Sequence, residues 1–538
     1  MYTRRAFLTT GSRIAAASLI GSAFRPPCFA QTSGATEQTE ASFADSAAIS
    51  FSTTDSAYQS LYNHALDLLA ANVQKMYGFD KPVLIEGSVY RGVWLECGPQ
   101  EGLVYSLIRP DVARNNHLLF FELQKEDGQI PCSVKPTEAG FGQIQMVVPI
   151  AATAWELAQQ TQDTELIEKA YRSCSQWDAW LRRYRDTRHT GLCEGFCTYD
   201  TGHDNSPRWA GIPNRCPDAD ARKCPPIPSL PRLCPDLSAT VYGGRVALAA
   251  MARALGKTDE ADRWLEDAAT IRTAIVDRLY DSEDAAFYDL DAQDHFVRIR
   301  GDVITRVLGE RVPDQKLFET IYRRQIHNPK AFWAPYPLPS IALDDSTFVR
   351  PIPRNSWGGA AQALTALRAP RWMEHYGKPA DLAYLMQQWV AALLRAQDFR
   401  QQMDPLTGEF TMADPAGYSP AALVFLDFTW RLAGVRAVDG ELEWNVRTSL
   451  AGGYTSFRLR VSPTLTAEIK YGSNTATLLL NGRVLCRTSS TVRLRTTLDG
   501  ALRSAAGIAS QRTSVTLQMA SGKPHTFSIE PNSTVHLS

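Results

Sequence analysis

No block of like charge runs through the 538 residues, and the formal net charge is only −1. A nucleic-acid binder would carry a basic stripe, so that class is set aside. Beyond the first thirty residues, no stretch reaches the roughly eighteen uninterrupted apolar residues of a membrane helix. No membrane partner is therefore expected once the leading segment is removed. The sequence also lacks a G-x-S-x-G elbow for a serine nucleophile, a glycine loop to cradle phosphates, and a set of metal ligands at working spacing. No cofactor or metal is implied, and nothing in the pattern speaks to oligomeric state.

What is present is an ordinary globular composition, 44% hydrophobic and 21% charged. Of ten cysteines, Cys28 falls in the leading segment, and Cys193, Cys197, Cys216, Cys224 and Cys234 share one proline-rich stretch. These five lack paired C-x-x-C elements and a histidine at ligand spacing, so disulfides that staple a long loop are expected rather than zinc. The run Thr3-Arg4-Arg5-Ala6-Phe7-Leu8 precedes an apolar stretch over 14–24. It resembles a twin-arginine export signal, with cleavage after Ala30, and predicts a periplasmic or secreted bacterial protein. Residues 31–45 are small and polar and read as a disordered linker.

From about residue 55 to 435 the dominant period is helical. Within 163–186, Leu166, Ile167, Ala170, Tyr171, Cys174, Trp177, Trp180 and Leu181 recur every three or four residues and form one helix face. The stretch 241–280 divides at Gly256-Lys257-Thr258, where Gly256 suits a helix C-terminus and Thr258 the next N-cap. Residues 357–373, 379–394 and 419–432 continue the theme, and short links between long amphipathic helices predict antiparallel hairpins. Three exits share a pattern of Asp, short turn, then an apolar residue: Asp186 to Leu192, Asp281 to Phe287 and Asp404 to Phe410. Pseudo-symmetric units presenting loops on one rim would produce that recurrence. After about Gly434 the segments 456–461, 464–471, 475–480, 491–497, 514–519 and 525–530 are short, alternating and β-branched, with Asn481-Gly482 as a hairpin turn. The expected organisation is a signal over 1–30, a linker over 31–45, a helical domain over 46–436 and a small all-β, sandwich-like domain over 437–538.

Chemistry concentrates in residues 193–210, CEGFCTYDTGHDNSPRWA. Much of this composition simply favours turns. It also gathers Asp200, Asp204, Asn205, Arg208 and Trp209, the groups that handle sugars. A buried carboxyl whose pKa is raised can protonate a leaving glycosidic oxygen. Most of the twelve tryptophans belong to the core. Trp94, Trp209, Trp333 and Trp357 lie in loop-like or helix-start contexts, where an indole can cover a pyranose face. Gln143 and Gln145 are candidate hydrogen-bonding groups of the same rim.

The run Asp200-Thr201-Gly202-His203-Asp204-Asn205-Ser206-Pro207-Arg208-Trp209 resembles the acid-bearing motif of glycoside hydrolase families 37 and 63, the trehalases and the glucosidase and mannosylglycerate-hydrolase group. Further segments are similar in order: Arg91 to Glu96, Gln124 to Pro131, Asn355 to Gly359, Asp404 to Glu409, and Tyr418 to Val424. The resemblance implies a mainly α fold, an (α/α)6 toroid, with Asp204 as general acid. It implies a carbohydrate substrate met by Trp94, Glu96, Gln145, Asp200, Arg208, Trp209, Trp357 and the residue at 401.

The chain departs from that pattern at the general base. The families place a Glu where this sequence has Gln401, and an amide cannot accept a proton from water at neutral pH. Glu409 is the expected replacement, with Asp404 and Glu96 as other carboxylates within the pattern. The expected function is an exported, inverting hydrolase of an α-linked di- or oligosaccharide. A sugar-binding protein that does not cleave and an inverting phosphorylase are the alternatives.

Overall fold

The computed structural model describes residues 48–411, 417–447, 454–520 and 522–537. The expected export signal and linker lie outside them. Among the described residues there are twelve α-helices. The first six are α1 (Ser56–Ala71), α2 (Gly98–Tyr105), α3 (Pro110–Glu122), α4 (Ile150–Thr161), α5 (Thr164–Tyr184) and α6 (Pro235–Ala254). The rest are α7 (Thr258–Leu279), α8 (Val303–Gly309), α9 (Gln315–Ile321), α10 (Ala363–Met373), α11 (Pro379–Ala396) and α12 (Ser419–Ala433).

Local chemistry sets several boundaries. Asp55, Asp163 and Asp314 each accept a backbone N–H in the first turn of α1, α5 and α9, satisfying donors that the helix itself leaves open. Gly256, at φ 74°, turns the chain between α6 and α7. Thr258 is the first helical residue of α7 rather than its cap, and Lys257 caps without a side-chain bond. The helix expected from residue 357 starts only at Ala363. The Trp357 N–H goes to the Asp204 carbonyl and the Gly359 N–H to Ser340 Oγ, so this segment spends its donors on tertiary partners.

The eight apolar residues expected on one face of α5 are all buried. Apart from α3 and α4, odd- and even-numbered helices differ in how far burial extends round them. In α7 only Ala261, Ala268, Ile271, Ile275 and Leu279 are buried, whereas in α12 every residue but Arg431 is. A helix buried all round lies between other elements, and a one-faced helix covers them. Packing follows the same division. α2 packs on α4, α4 on α6, α6 on α8, α8 on α10, α10 on α12, and α12 on α2. Each odd-to-even connection is long, and those after α2, α4, α6, α8 and α10 are short: 106–109, 162–163, 255–257, 310–314 and 374–378.

The C-terminal region forms two antiparallel sheets. One runs Ile49–Thr53, Thr455–Ser462, Leu465–Tyr471, Ala476–Leu480, Arg483–Thr488, Thr513–Met519 and His525–Ile529. The other runs Val435–Val438, Glu441–Val446, Val492–Thr497, Leu502–Ala506 and Thr534–His536. Asn481 and Gly482 both take positive φ in the expected hairpin turn. The division expected at 436/437 cuts the strand Val435–Val438, and Ile49–Thr53 from the N-terminal side joins the C-terminal sheet. α12 packs on Glu441–Val446, and the buried Arg493 pairs with Glu374 just beyond α10.

The structure joins none of the nine cysteines it describes in a disulfide, contrary to the expected staple. In the proline-rich stretch Cys197 and Cys216 come to 3.7 Å between sulfurs. Arg185 Nη2 also lies 3.7 Å from Cys216 Sγ, so the pair packs against a buried guanidinium.

Candidate active site

The loop between α5 and α6 is anchored before it carries any chemistry. Arg185, wholly buried at the end of α5, donates to both carboxylate oxygens of Asp200, at 2.5 and 3.1 Å. Asp200 also accepts the N–H groups of Phe196 and Ile144, at 2.7 and 2.9 Å. It therefore ties this loop to the segment bearing Gln143 and Gln145. Asp200 has no face toward solvent, so its expected role as a sugar contact gives way to a positioning one.

Arg208 is corrected in the same way. Its guanidinium forks onto two buried carboxylates, Asp236 on α6 and Asp289 before α8, with four bonds of 2.6–2.7 Å. Arg208 Nη1 also donates to His203 Nδ1 at 3.0 Å, which leaves Nε2–H of His203 to donate to Asp302 at 2.5 Å. Burial, then the nearby Arg306, pushes His203 down to about 4, so it is neutral. Asp302 additionally accepts from Thr365 and Arg368 of α10. Against the burial that would raise it, Arg306, His203 and Arg368 hold Asp302 well below the usual carboxylate range. His203 is thus bolted at both ring nitrogens, and its neighbour Asp204 is held facing a cavity.

Around that cavity stand Asp204, Glu86, Glu96, Trp94, Trp357, Gln143, Gln145, Tyr90, Tyr199, Asn355, Gln401 and Tyr418, with Lys135 and Arg215 as cations. All come from the long odd-to-even connections, five of the six. The sixth, between α7 and α8, supplies Asp289 and Asp302 beneath the loop that carries Asp204. Loops entering on one side of the helices therefore build the site, as the recurrent Asp exits suggested. Asp186, Asp281 and Asp404 do each cap their turn through backbone N–H groups. Asp404 does so after the strand Gln402–Met403 rather than at a helix end.

Burial pushes the Asp204 carboxyl up to about 6, with a 2.9 Å bond from Asn355 Nδ2 pulling the other way. Glu96 is pushed up to about 8, first by burial and then by Asp204, while Arg306 and a bond with Gln145 oppose the shift. Glu96 lies directly on Gly202, which takes φ 61° and where a Cβ would overlap Oε2 of Glu96, so a side chain there would be strained and would displace Glu96. Gln401 accepts from the Tyr90 hydroxyl and donates to Asn355 Oδ1, both at 2.9 Å. A hydrogen-bonded relay thus runs from Tyr90 through Gln401 and Asn355 to Asp204. Glu86 accepts from the Tyr418 hydroxyl at 2.8 Å.

Seven of the expected site residues meet here: Trp94, Glu96, Gln143, Gln145, Asp204, Trp357 and Gln401. Trp209 does not, since its buried indole donates to Thr201 Oγ1 beneath the loop. Trp333 packs on His327 and Tyr384 elsewhere. Glu409 is exposed and lies outside the cavity lining, because the turn after Asp404 directs it outward. Asp404 is paired with Arg350. The cavity residues not singled out from the sequence include Glu86, Tyr90, Lys135, Tyr199, Arg215, Asn355 and Tyr418, with Asp236, Asp289 and Asp302 as supports. Glu86 carried a signal, an acid directly after the apolar run Val83-Leu84-Ile85.

Two buried groups bring possible cation ligands together, Cys197 with Asp200 and Cys216, and Cys234 with Asp236 and Asp289. In both, guanidinium groups already bind the carboxylates, Arg185 in the first and Arg208 in the second. An ion would have to displace them.

Comparison with known proteins agrees with this geometry. The profile of the mannosylglycerate hydrolase MGH1-like glycoside hydrolase domain matches residues 105–430. No curated protein matches the chain in sequence. The family 63 mannosylglycerate hydrolase from Thermus thermophilus, solved with Tris, superposes with a TM-score of 0.57 at 19% identity, covering 69% of this chain and 100% of that one. A protein described as a sialidase gives 0.62 at 15% identity, covering 84% of this chain and 42% of its own. Neutral trehalase from Saccharomyces cerevisiae gives 0.51 at 13% identity, over 68% and 80%. At these identities the structures speak for the fold, and the profile for the family: the chain belongs to the MGH1-like glycoside hydrolases of the family 63 type.

Proposed function

We propose that this chain is an exported glycosidase that hydrolyses an α-linked di- or oligosaccharide with inversion, Asp204 serving as general acid. One observation carries the reading. Asp204 is a carboxyl in a cavity with Trp94 and Trp357, raised to about 6 by burial and so able to hold a proton near neutrality. In this reading the closed packing order of the even-numbered helices is the inner ring of an (α/α)6 toroid over 46–436. The strands of 437–538, joined by Ile49–Thr53, form a sandwich-like accessory domain. Trp94 and Trp357 stack on the sugar, and Gln145 and Glu96 bond its hydroxyls.

The test is turnover by the mature protein on α-glucosides, α-mannosides including mannosylglycerate, and trehalose, with and without phosphate. The product anomer is read by NMR. A free sugar of inverted configuration is expected. Retention of configuration would overturn the reading. Phosphate-dependent release of a sugar phosphate would point instead to a phosphorylase, with Lys135 and Arg215 as the anion's partners.

A second reading, sugar binding without cleavage, is favoured by Gln401, whose amide is engaged at both ends. Binding without turnover across the panel would select it. Export is tested separately: with Arg4→Lys and Arg5→Lys together, the chain should stay in the cytoplasm while the unaltered chain leaves it.

A further inference from the structure

We propose that Glu86 is the general base of this site, the carboxylate that activates the attacking water in place of Gln401. The assignment rests on the glycosidase reading above. Three carboxylates line the cavity among the described residues: Glu86, Glu96 and Asp204. Inversion needs the acid and base about 6.5–9.5 Å apart, on opposite faces of the sugar ring, so that water fits between. Glu96 lies on Gly202, two residues from the acid in the same loop, and is therefore on the acid's side.

Glu86 belongs to the wall that carries Gln401. The Ser419 N–H bonds the Glu86 carbonyl at 2.8 Å, and the Tyr418 N–H bonds the Phe399 carbonyl at 3.2 Å, two residues before Gln401. Gly87 bridges to both Tyr90 and Tyr418, and Tyr90 in turn donates to Gln401. The main chain of Glu86 is thus sewn to the segment where a base is missing. Its side chain is oriented by the Tyr418 hydroxyl on Oε1, and Oε2 is left to take a proton from water.

The step balances without any further reagent. A water oxygen bonds the anomeric carbon as the glycosidic C–O bond breaks. The water proton goes to Glu86, the Asp204 proton goes to the leaving oxygen, and solvent returns both groups to their starting state. Burial, then Glu101 and Glu96, holds Glu86 well above the usual carboxylate range. Its ionised form is therefore a stronger base than an exposed carboxylate, and turnover uses the form of the site in which Glu86 is ionised while Asp204 keeps its proton.

The experiment uses an α-glycosyl fluoride of the accepted sugar beside the disaccharide. Fluoride departs without needing a proton, so its release reads the water-activating side alone. Glu86→Gln should lower kcat on both substrates by about 10²–10⁴-fold, with sugar binding by calorimetry retained. Azide added to Glu86→Ala should yield a glycosyl azide of inverted configuration. Placing Gln401→Glu in the Glu86→Gln background should recover turnover, which a merely structural loss would not allow. Glu86→Gln at wild-type rate on the fluoride overturns the assignment and leaves the glycosidase reading intact. A wild-type chain that consumes neither substrate removes the glycosidase reading, and this assignment with it.

Discussion

Asp204→Asn is expected to lower turnover of a natural disaccharide by about 10²–10⁴-fold, the usual worth of a positioned general acid. At about 1.4 kcal/mol per decade this is roughly 3–5.5 kcal/mol of transition-state stabilisation. Binding should remain close to wild type. The amide keeps the size of the carboxyl, and the bond to Asn355 and the backbone bond from Trp357 do not require a charge at 204. The pH profile adds a second readout. A general acid works only while protonated, and Asp204 loses its proton near pH 6 in the free site. Wild-type kcat/KM should therefore fall as pH rises through that value, and this limb should vanish in Asp204→Asn. A variant that keeps wild-type rates with the limb intact would remove Asp204 from the acid role.

Arg208→Ala is expected to cost about 3–5 kcal/mol of folding stability, the range for stripping one partner from a buried ion pair. The geometry argues for the upper part of that range. One guanidinium serves two carboxylates, Asp236 and Asp289, and both are almost wholly buried. Removing it strands Asp289 and leaves Asp236 with only the longer 3.5 Å ion-pair contact from Arg306, where water cannot reach. The pH dependence has a defined sign. In the wild type Asp236 is held at about 2, below its ordinary 3.8, by Arg208 and Arg306 against the cost of burial. That contribution is complete above the ordinary value and is lost as pH falls through about 2. In the variant the stranded carboxyls favour protonation, so its deficit should shrink as pH is lowered from neutrality. Denaturant melts of both proteins across pH would show it, and a constant small deficit would refute the account. Activity should fall as well, because Arg208 fixes the ring of His203 beside Asp204.

Much of the architecture is local and so readable in one dimension. The periodicity of 163–186 names the buried face of α5 because helical geometry brings every third and fourth residue together. The β-branched alternation after Gly434 and the Asn481-Gly482 turn identify strands and a hairpin for similar reasons. The helix that starts late at Ala363 shows where such reasoning stops. Trp357 and Gly359 have a helical pattern ahead of them, but their amides bond groups from the acid loop and from Ser340. The three Asp exits were legible as turns, yet only packing shows that their loops enter one side of the helices.

The same division runs through the site. The motif around Asp204 and the glutamine at 401 are determined by sequence alone, and with the motif the family. Whether a polar side chain faces substrate or supports a loop depends on partners far away in the chain. Arg208 meets Asp289 across 81 residues, and Asn355 meets Asp204 across 151. In a linear reading Asp200, Arg208 and Trp209 are indistinguishable from groups that touch a sugar, because their residue types serve both purposes. Only the tertiary structure buries their charges against one another, turns Glu409 outward and brings Glu86 to the cavity. The buried charges pair because charge taken out of water must find its counterpart, and the fold decides where that counterpart lies.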